Sequence, residues 1–258
     1  MTEESKDSEI DYESKLLASA QRLLDHLDQQ IQLMGNPVDG TCVVFHEDES
    51  FNIALPWAAF EDLHFRIAHR HAAPDLVFYN QLFDLLPSLD GKAILDVGAF
   101  TGLQGLILRR FLAPSHVYMV EPLNMVQPVL QRTIEANPEG CPISLHQEII
   151  DDGTSPMTRS SMPPKKTSAI AYLRRKDGKL TATTIDALGF DNLGLINLDI
   201  PGTKLYALNG AKETLETMRP VVTVNLAGRD VPEMKEFFEP LNYRFVAIGR
   251  HSGVFLPE

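Results

Sequence analysis

Two carboxylates stand at or near the ends of short apolar runs, 25 residues apart: Asp96 in Ala93-Ile94-Leu95-Asp96-Val97, and Glu121 directly after Val117-Tyr118-Met119-Val120. The first run leads into Gly98-Ala99-Phe100-Thr101-Gly102 and then into apolar residues at helical spacing, Leu103, Leu106, Ile107 and Phe111. That order reads as strand, glycine turn and helix. A parallel strand buried on both faces has no packing use for an aspartate, so Asp96 is there to meet something. Gly98 and Gly102 remove Cβ atoms where a ligand would approach the backbone. The helix that follows would present unpaired N–H groups and a positive dipole end. An ordinary βα turn, with glycines serving dihedral angles alone, is the alternative and stays open at this point.

The chemistry of the ligand follows from what the turn lacks. A dinucleotide site wants Gly-x-Gly-x-x-Gly so that backbone can press against a pyrophosphate. Here Ala99, Phe100 and Thr101 separate the two glycines, and Phe100 is bulky where a pyrophosphate needs room. The P-loop pattern fails as well, because no Gly-Lys-Ser/Thr follows. An acid before the turn suits a cationic head. Glu121, followed by Pro122, is placed at the tip of the next strand to accept hydrogen bonds from both hydroxyls of a ribose. An amino-acid ammonium near Asp96 and a ribose near Glu121 together describe S-adenosyl-L-methionine.

Elements that must position these groups are legible on either side. After Gly91 the chain alternates strand and helix, with strands expected over 92–97, 116–120, 142–149, 194–199, 220–226 and 242–248, and helices over 102–111, 123–136, 203–217 and 230–239. An Asp177-Gly178 hairpin is expected to join 168–173 to 180–184 before the fourth strand. The terminal runs around Gly249 and Gly253 predict an antiparallel ending on a parallel sheet. His146 is expected to point outward from the third strand. Upstream, Leu16, Leu17, Ala20, Leu23, Leu24, Leu27, Ile31 and Met34 recur at helical spacing and form one apolar stripe, which must pack on the main domain or on a second copy of the chain. Runs flanking 46–50 suggest a hairpin, and further helical segments fall around 60–67 and 76–86. Three regions result: a disordered acidic tail over 1–12, a helical and hairpin extension over 13–90, and a ligand-binding domain over 91–258.

Composition narrows the class. A net charge of −12 argues against a general nucleic-acid binder, whose surface should be basic. No apolar run approaches membrane-spanning length, so no membrane partner is expected and a cytoplasmic location is the default. Cys42 and Cys141 lack Cys-x-x-Cys spacing; they read as small hydrophobes of a reducing compartment, with a disulfide between them left open. His64, His69 and His71 are more simply helix decoration than a metal site, since no carboxylate stands at ligand spacing. Lys165-Lys166, Arg174-Arg175-Lys176 and Lys179 form a basic cluster that suits either a solvated hairpin tip or an anionic acceptor.

Ile94 to Gly102 resembles motif I of class I S-adenosylmethionine-dependent methyltransferases. More narrowly, Asp96-Val97-Gly98-Ala99, Glu121-Pro122, Thr184-Ile185-Asp186-Ala187-Leu188 and Leu198-Asp199-Ile200-Pro201-Gly202 through Gly210-Ala211 resemble the FkbM-type methyltransferases, over roughly residues 75–256. The resemblance implies a Rossmann-like α/β fold, a seven-stranded mostly parallel sheet with an antiparallel last strand. It also implies O-methyl transfer to a small-molecule hydroxyl, such as one on a sugar or natural product. The cofactor residues it carries over are Asp96, Gly98, Ala99, Phe100, Gly102, Glu121 and Pro122. Departures cluster at strand four. Where the family has lysine and two glutamates, this chain has Asn197, Pro201 and Lys204, and the acid usual at the end of strand five is Asn225. Asp199 keeps its carboxylate and is the candidate general base or acceptor-orienting group, with Asn225 beside it; no metal site is expected from these two alone. Two rivals follow. One is a catalytically silent module of this fold acting through protein partners, docked by the N-terminal helix. The other is a nicotinamide-dependent reductase, against which the Gly98–Gly102 spacing argues.

Overall fold

Every residue of Ala93–Val97 and Leu193–Leu198 is buried, as an apolar run without alternation requires of a parallel strand covered on both faces. The computed structural model describes residues 41–46, 48–54, 76–86, 88–124, 126–159, 172–226, 230–249 and 252–258. The acidic tail, the N-terminal amphipathic helix, residues 55–75 with their three histidines, Lys165, Lys166 and His251 lie outside the described residues.

In chain order the elements are β1 (Thr41–His46), β2 (Glu49–Ala54), α1 (Leu76–Leu85), β3 (Ala93–Val97), α2 (Leu103–Leu112), β4 (Val117–Val120), α3 (Gln127–Glu135), β5 (Ile143–His146), β6 (Met157–Arg159), β7 (Tyr172–Arg174), α4 (Ile185–Leu188), β8 (Leu193–Leu198), α5 (Lys204–Asn209), α6 (Lys212–Thr217), β9 (Val221–Asn225), α7 (Val231–Phe238), β10 (Tyr243–Ile248) and β11 (Ser252–Pro257). Seven of the strands form one sheet, in the order β10, β11, β9, β8, β3, β4, β5. Neighbours from β5 across to β9 run parallel, and β11 runs antiparallel to both β9 and β10. This is the Rossmann-like seven-stranded arrangement implied by motif I, with its last strand reversed. Strand order turns at β3 and β8, so a crevice opens at their carboxyl ends, which is where open α/β sheets take ligands.

Two apolar layers sandwich the sheet. On one face Ile94, Leu195 and Val221 meet Leu106 and Ile107 of α2 and Leu82 of α1. On the other, Leu95, Ile196 and Val222 meet Ala207, Leu208, Leu215 and Phe238. The β1–β2 hairpin shares the first layer through Phe51 and Ile53. Its backbone is fastened to α3 by Asn137, whose Oδ1 accepts from Asn52 N–H at 3.0 Å and whose Nδ2 donates to Asn52 O at 2.7 Å.

Four local expectations are corrected. The helix over 203–217 is two helices, because Gly210 lets the chain pack closely on the Asp151 carbonyl and Thr184, where a Cβ would not fit. The strand over 142–149 ends at His146; Ile150 instead bridges Thr183. The Asp-Gly hairpin is not formed: Tyr172–Arg174 pairs with Met157–Arg159. Residues 180–184 are drawn elsewhere, Leu180 to Met157 and Thr184 to cap α4 by accepting from Ala187 N–H. Finally, His146 is half-buried, its ring edge-on to Phe190 with centroids 5.1 Å apart, because its register with Val120 turns it toward the α4 face.

Asn137→Ala should loosen β2 on α3, leaving only the Ala54 N–H bond to Thr133 and the Asn52 side-chain bond to the Ala136 carbonyl, and strip the Asn52 backbone groups of their Asn137 partners, costing about 1–3 kcal/mol and lowering the melting temperature by several degrees. An unchanged melting curve would show that the hairpin is not held there.

Candidate active site

The glycine turn is built against the rest of the chain. Gly98 has φ 87° and Gly102 φ 85°, both left-handed. A Cβ on Gly98 would run into the Asp199 carbonyl, and one on Gly102 would stand 2.7 Å from Leu130. At both α-carbons the close neighbour is therefore protein. Gly98 N–H and Ala99 N–H both donate to the Val120 carbonyl, at 2.9 and 3.1 Å, which ties the turn to the end of β4.

At that end stands Glu121, 5% exposed. Phe100, itself left-handed at φ 48°, donates its N–H to Oε2 at 3.1 Å, and Leu123 N–H donates to Oε1 at 3.0 Å. Gln127 clasps the backbone by donating to the Glu121 carbonyl, and half-buried Pro122 carries the chain on toward α3. Burial raises the pKa of Glu121, and the two amide donors oppose the rise. Each oxygen still has a lone-pair direction unused by these bonds, so the carboxylate can accept from two hydroxyls.

Asp96 occupies a different layer. Its side chain is fully buried and shares a row with Asn197 and Thr223, which are aligned with it across β3, β8 and β9. Asn197 Nδ2 donates to Asp96 Oδ1 at 2.7 Å, and Thr223 Oγ1 donates to Asn197 Oδ1 at 2.8 Å. Among the described residues Oδ2 of Asp96 meets no donor within good hydrogen-bond geometry, and a Cβ on Gly105 would stand 2.8 Å from it; the Gly105 N–H nonetheless favours the ionised form. Burial, opposed by the Asn197 bond and reinforced by the charge of Asp199, pushes the Asp96 pKa from 3.8 up to about 7.

One step nearer the carboxyl edge, the structure brings Asp199 and Asn225 together. Asn225 Nδ2 donates to Asp199 Oδ1 and Gln104 Nε2 donates to Oδ2, each at 3.2 Å. Asn197 Nδ2 also donates to Gln104 Oε1 at 2.8 Å. That bond fixes which way the Gln104 amide faces, so its N–H end must meet Asp199. Burial pushes the Asp199 pKa up, while Asn225, Lys204 and Gln104 favour the ionised form. The net direction for the Asp199 carboxylate is upward, because burial outweighs the three groups that favour the ionised form. Its partners are these side chains and not the Pro201–Gly202 turn. Gln104 was not anticipated from the sequence; a glutamine in the first turn of an otherwise apolar helix stripe was its one signal.

Glu121 is thus a buried carboxylate aimed by two backbone amides at the end of β4, and Asp96 is a fully buried carboxylate behind the turn. Among the described residues no three His, Cys, Asp or Glu side chains are grouped to hold a metal ion, and no helix is long and apolar enough to cross a membrane.

No family model and no curated protein matches the chain. Among solved structures it is similar to the methyltransferase FkbM from Methylobacillus flagellatus KT, with 20% identity and a TM-score of 0.46 over 65% of this chain and 44% of that one. The chain thus spans less than half the length of that protein. It is also similar to ribosomal protein L11 methylase from Lactobacillus delbrueckii subsp. bulgaricus, with 11% identity and a TM-score of 0.43 over 68% and 76% of the two chains. A third likeness is to M. jannaschii TYW2 in complex with AdoMet, with 12% identity and a TM-score of 0.43 over 84% of each chain. These likenesses are too distant to carry chemistry, which rests on the side chains themselves.

The raised Asp96 pKa makes stability depend on pH in a set direction. Between 3.8 and about 7 the folded protein holds a proton that the unfolded chain has lost, so stability falls as pH rises through that window. The full loss, up to about 4 kcal/mol, is present above pH 7. Asp96→Asn, which carries no charge, should therefore gain melting temperature relative to the native protein on going from pH 5 to pH 8. A difference that does not change with pH would mean that Asp96 does not titrate in this range.

Proposed function

We propose that this chain is a methyltransferase that binds S-adenosyl-L-methionine and methylates a hydroxyl on a small molecule such as a sugar or natural product. The observation that carries the reading is Glu121, a buried carboxylate at the carboxyl end of β4, aimed by Phe100 N–H and Leu123 N–H. A carboxylate so held suits a ribose diol and repels a 2′-phosphate or pyrophosphate.

When bound, the cofactor supplies a methyl group on a sulfonium, already activated for in-line displacement. The protein's tasks are then alignment and proton removal. Asp199, at the carboxyl end of β8 beside the Gly98 turn, would take the acceptor hydroxyl's proton onto a carboxylate oxygen, leaving the acceptor oxygen free to receive the methyl group that the cofactor would supply. Asn225 steadies Asp199 and, being exposed, offers its own amide to the acceptor. Asp96 braces the turn from behind through Asn197.

Thermal shift of the full chain with S-adenosylmethionine, S-adenosylhomocysteine and NADPH tests the cofactor class: both adenosyl ligands should stabilise it. Stabilisation by NADPH alone would replace the reading with a reductase. Binding without methylation of any hydroxyl acceptor in a broad panel would favour a silent module. Asp199→Asn should retain S-adenosylhomocysteine affinity and lose turnover by about 10²–10⁴-fold; full activity would remove Asp199 from the mechanism. Gln104→Leu removes a donor that favours the ionised form of Asp199, so the acidic limb of the pH–rate profile should move to higher pH. A limb that stays in place would separate Gln104 from the base.

A further inference from the structure

Strands β6 and β7 pair with each other in a small sheet of their own, outside the seven-stranded one. Arg174 holds β7 in place. Its guanidinium donates to both oxygens of Asp152, at 3.0 and 2.8 Å, and to the hydroxyls of Thr154 and Ser155, and it lies 3.9 Å from the centre of the Tyr206 ring. Such a bidentate, many-partnered anchor fixes a strand far better than a single surface ion pair does. Two residues earlier, at the end of β7 opposite Arg159, is Tyr172.

Tyr172 packs with Phe100 against Leu123 and Val126. The composition of this cluster matters, because Phe100 and Leu123 are the two residues whose N–H groups aim the Glu121 carboxylate. Leu123 and Val126 are sealed, at 5% and 0% exposure, whereas Phe100 and Tyr172 are half-buried. Burial raises the Tyr172 hydroxyl's pKa, with the Glu121 charge adding to the rise and Arg159 opposing it. A diol acceptor whose aiming residue packs against a half-buried tyrosine is the chemistry of a nucleoside site: the acid takes the ribose and the aromatic ring takes the base. We propose that Tyr172 is a binding residue for the adenine of the adenosyl ligand, delivered by β7 to form one wall of the purine pocket. This inference rests on the adenosyl reading of Glu121 and adds the base-recognition residue and the reason for the β6–β7 insertion.

The test is calorimetric titration of S-adenosylhomocysteine into the full chain and three variants. Tyr172→Ala should weaken binding by about tenfold or more, the scale of one base–aromatic contact. Tyr172→Phe should bind within about twofold of the native protein, because the ring and not the hydroxyl does the work. Tyr172→Leu preserves the apolar packing against Leu123, so it decides the matter should the alanine variant unfold, and it too should bind about tenfold more weakly. Native-like affinity in the alanine and leucine variants would overturn the assignment while leaving the adenosyl reading intact. So would a phenylalanine variant as weak as the alanine one. Failure of the native protein to bind S-adenosylhomocysteine at all would remove both.

Discussion

The hydrogen bond from Asn197 Nδ2 to Asp96 Oδ1 is the interaction on which the rest of the cleft depends. It joins β3 to β8 across the point where strand order turns, in a row that Thr223 of β9 completes inside an otherwise largely apolar sheet. Burying a carboxylate in such a place is costly unless it is bonded, and among the described residues Asn197 is its one side-chain donor. Asn197 is in turn fully used: one amide hydrogen goes to Asp96, the other to Gln104, and its carbonyl accepts from Thr223. A lysine at this position, the residue suggested by the family resemblance, could donate to Asp96 but could not accept from Thr223. Asparagine thus makes the row a chain of directed dipoles where a cation would make a point charge.

Because that chain has a direction, its effect reaches the cleft. The Gln104 amide is oriented by Asn197, and its outward N–H end then meets Asp199. The same carboxylate lies at the end of the strand whose backbone closes on Gly98. The turn, Asp199 and the buried Asp96 are one mechanical unit, held at a cost in stability that Asp96 contributes above neutral pH. Cleft residues that would be easier to fold without their charge are a common mark of function over stability.

Much of this was legible in the sequence where local physics decides. Apolar runs without alternation placed β3, β4, β8 and β9, and Glu121 stands, as expected, directly after β4 at its carboxyl end. What could not be read was set by contacts distant in the chain. Gln104 meets Asp199 across 95 residues, and a helix-stripe reading assigns a glutamine there to solvent. The Asp177-Gly178 turn signal was sound locally, but Met157 competes for the strands on either side of it. Gly210 split a helix because of Asp151 and Thr184, neither of which is near it in sequence. Asp96 itself was placed on the right strand, yet its enclosure between Asn197 and Gly105 makes it a brace behind the turn, a depth that periodicity alone does not reveal.

The central claim is that Glu121 receives a ribose. It is tested most directly without altering the protein, by comparing calorimetric affinity for S-adenosylhomocysteine with that for its 2′,3′-dideoxyribose analogue. Loss of hydrogen bonds to a charged acceptor should weaken the analogue by about tenfold or more. Equal affinity for the two ligands would contradict the account.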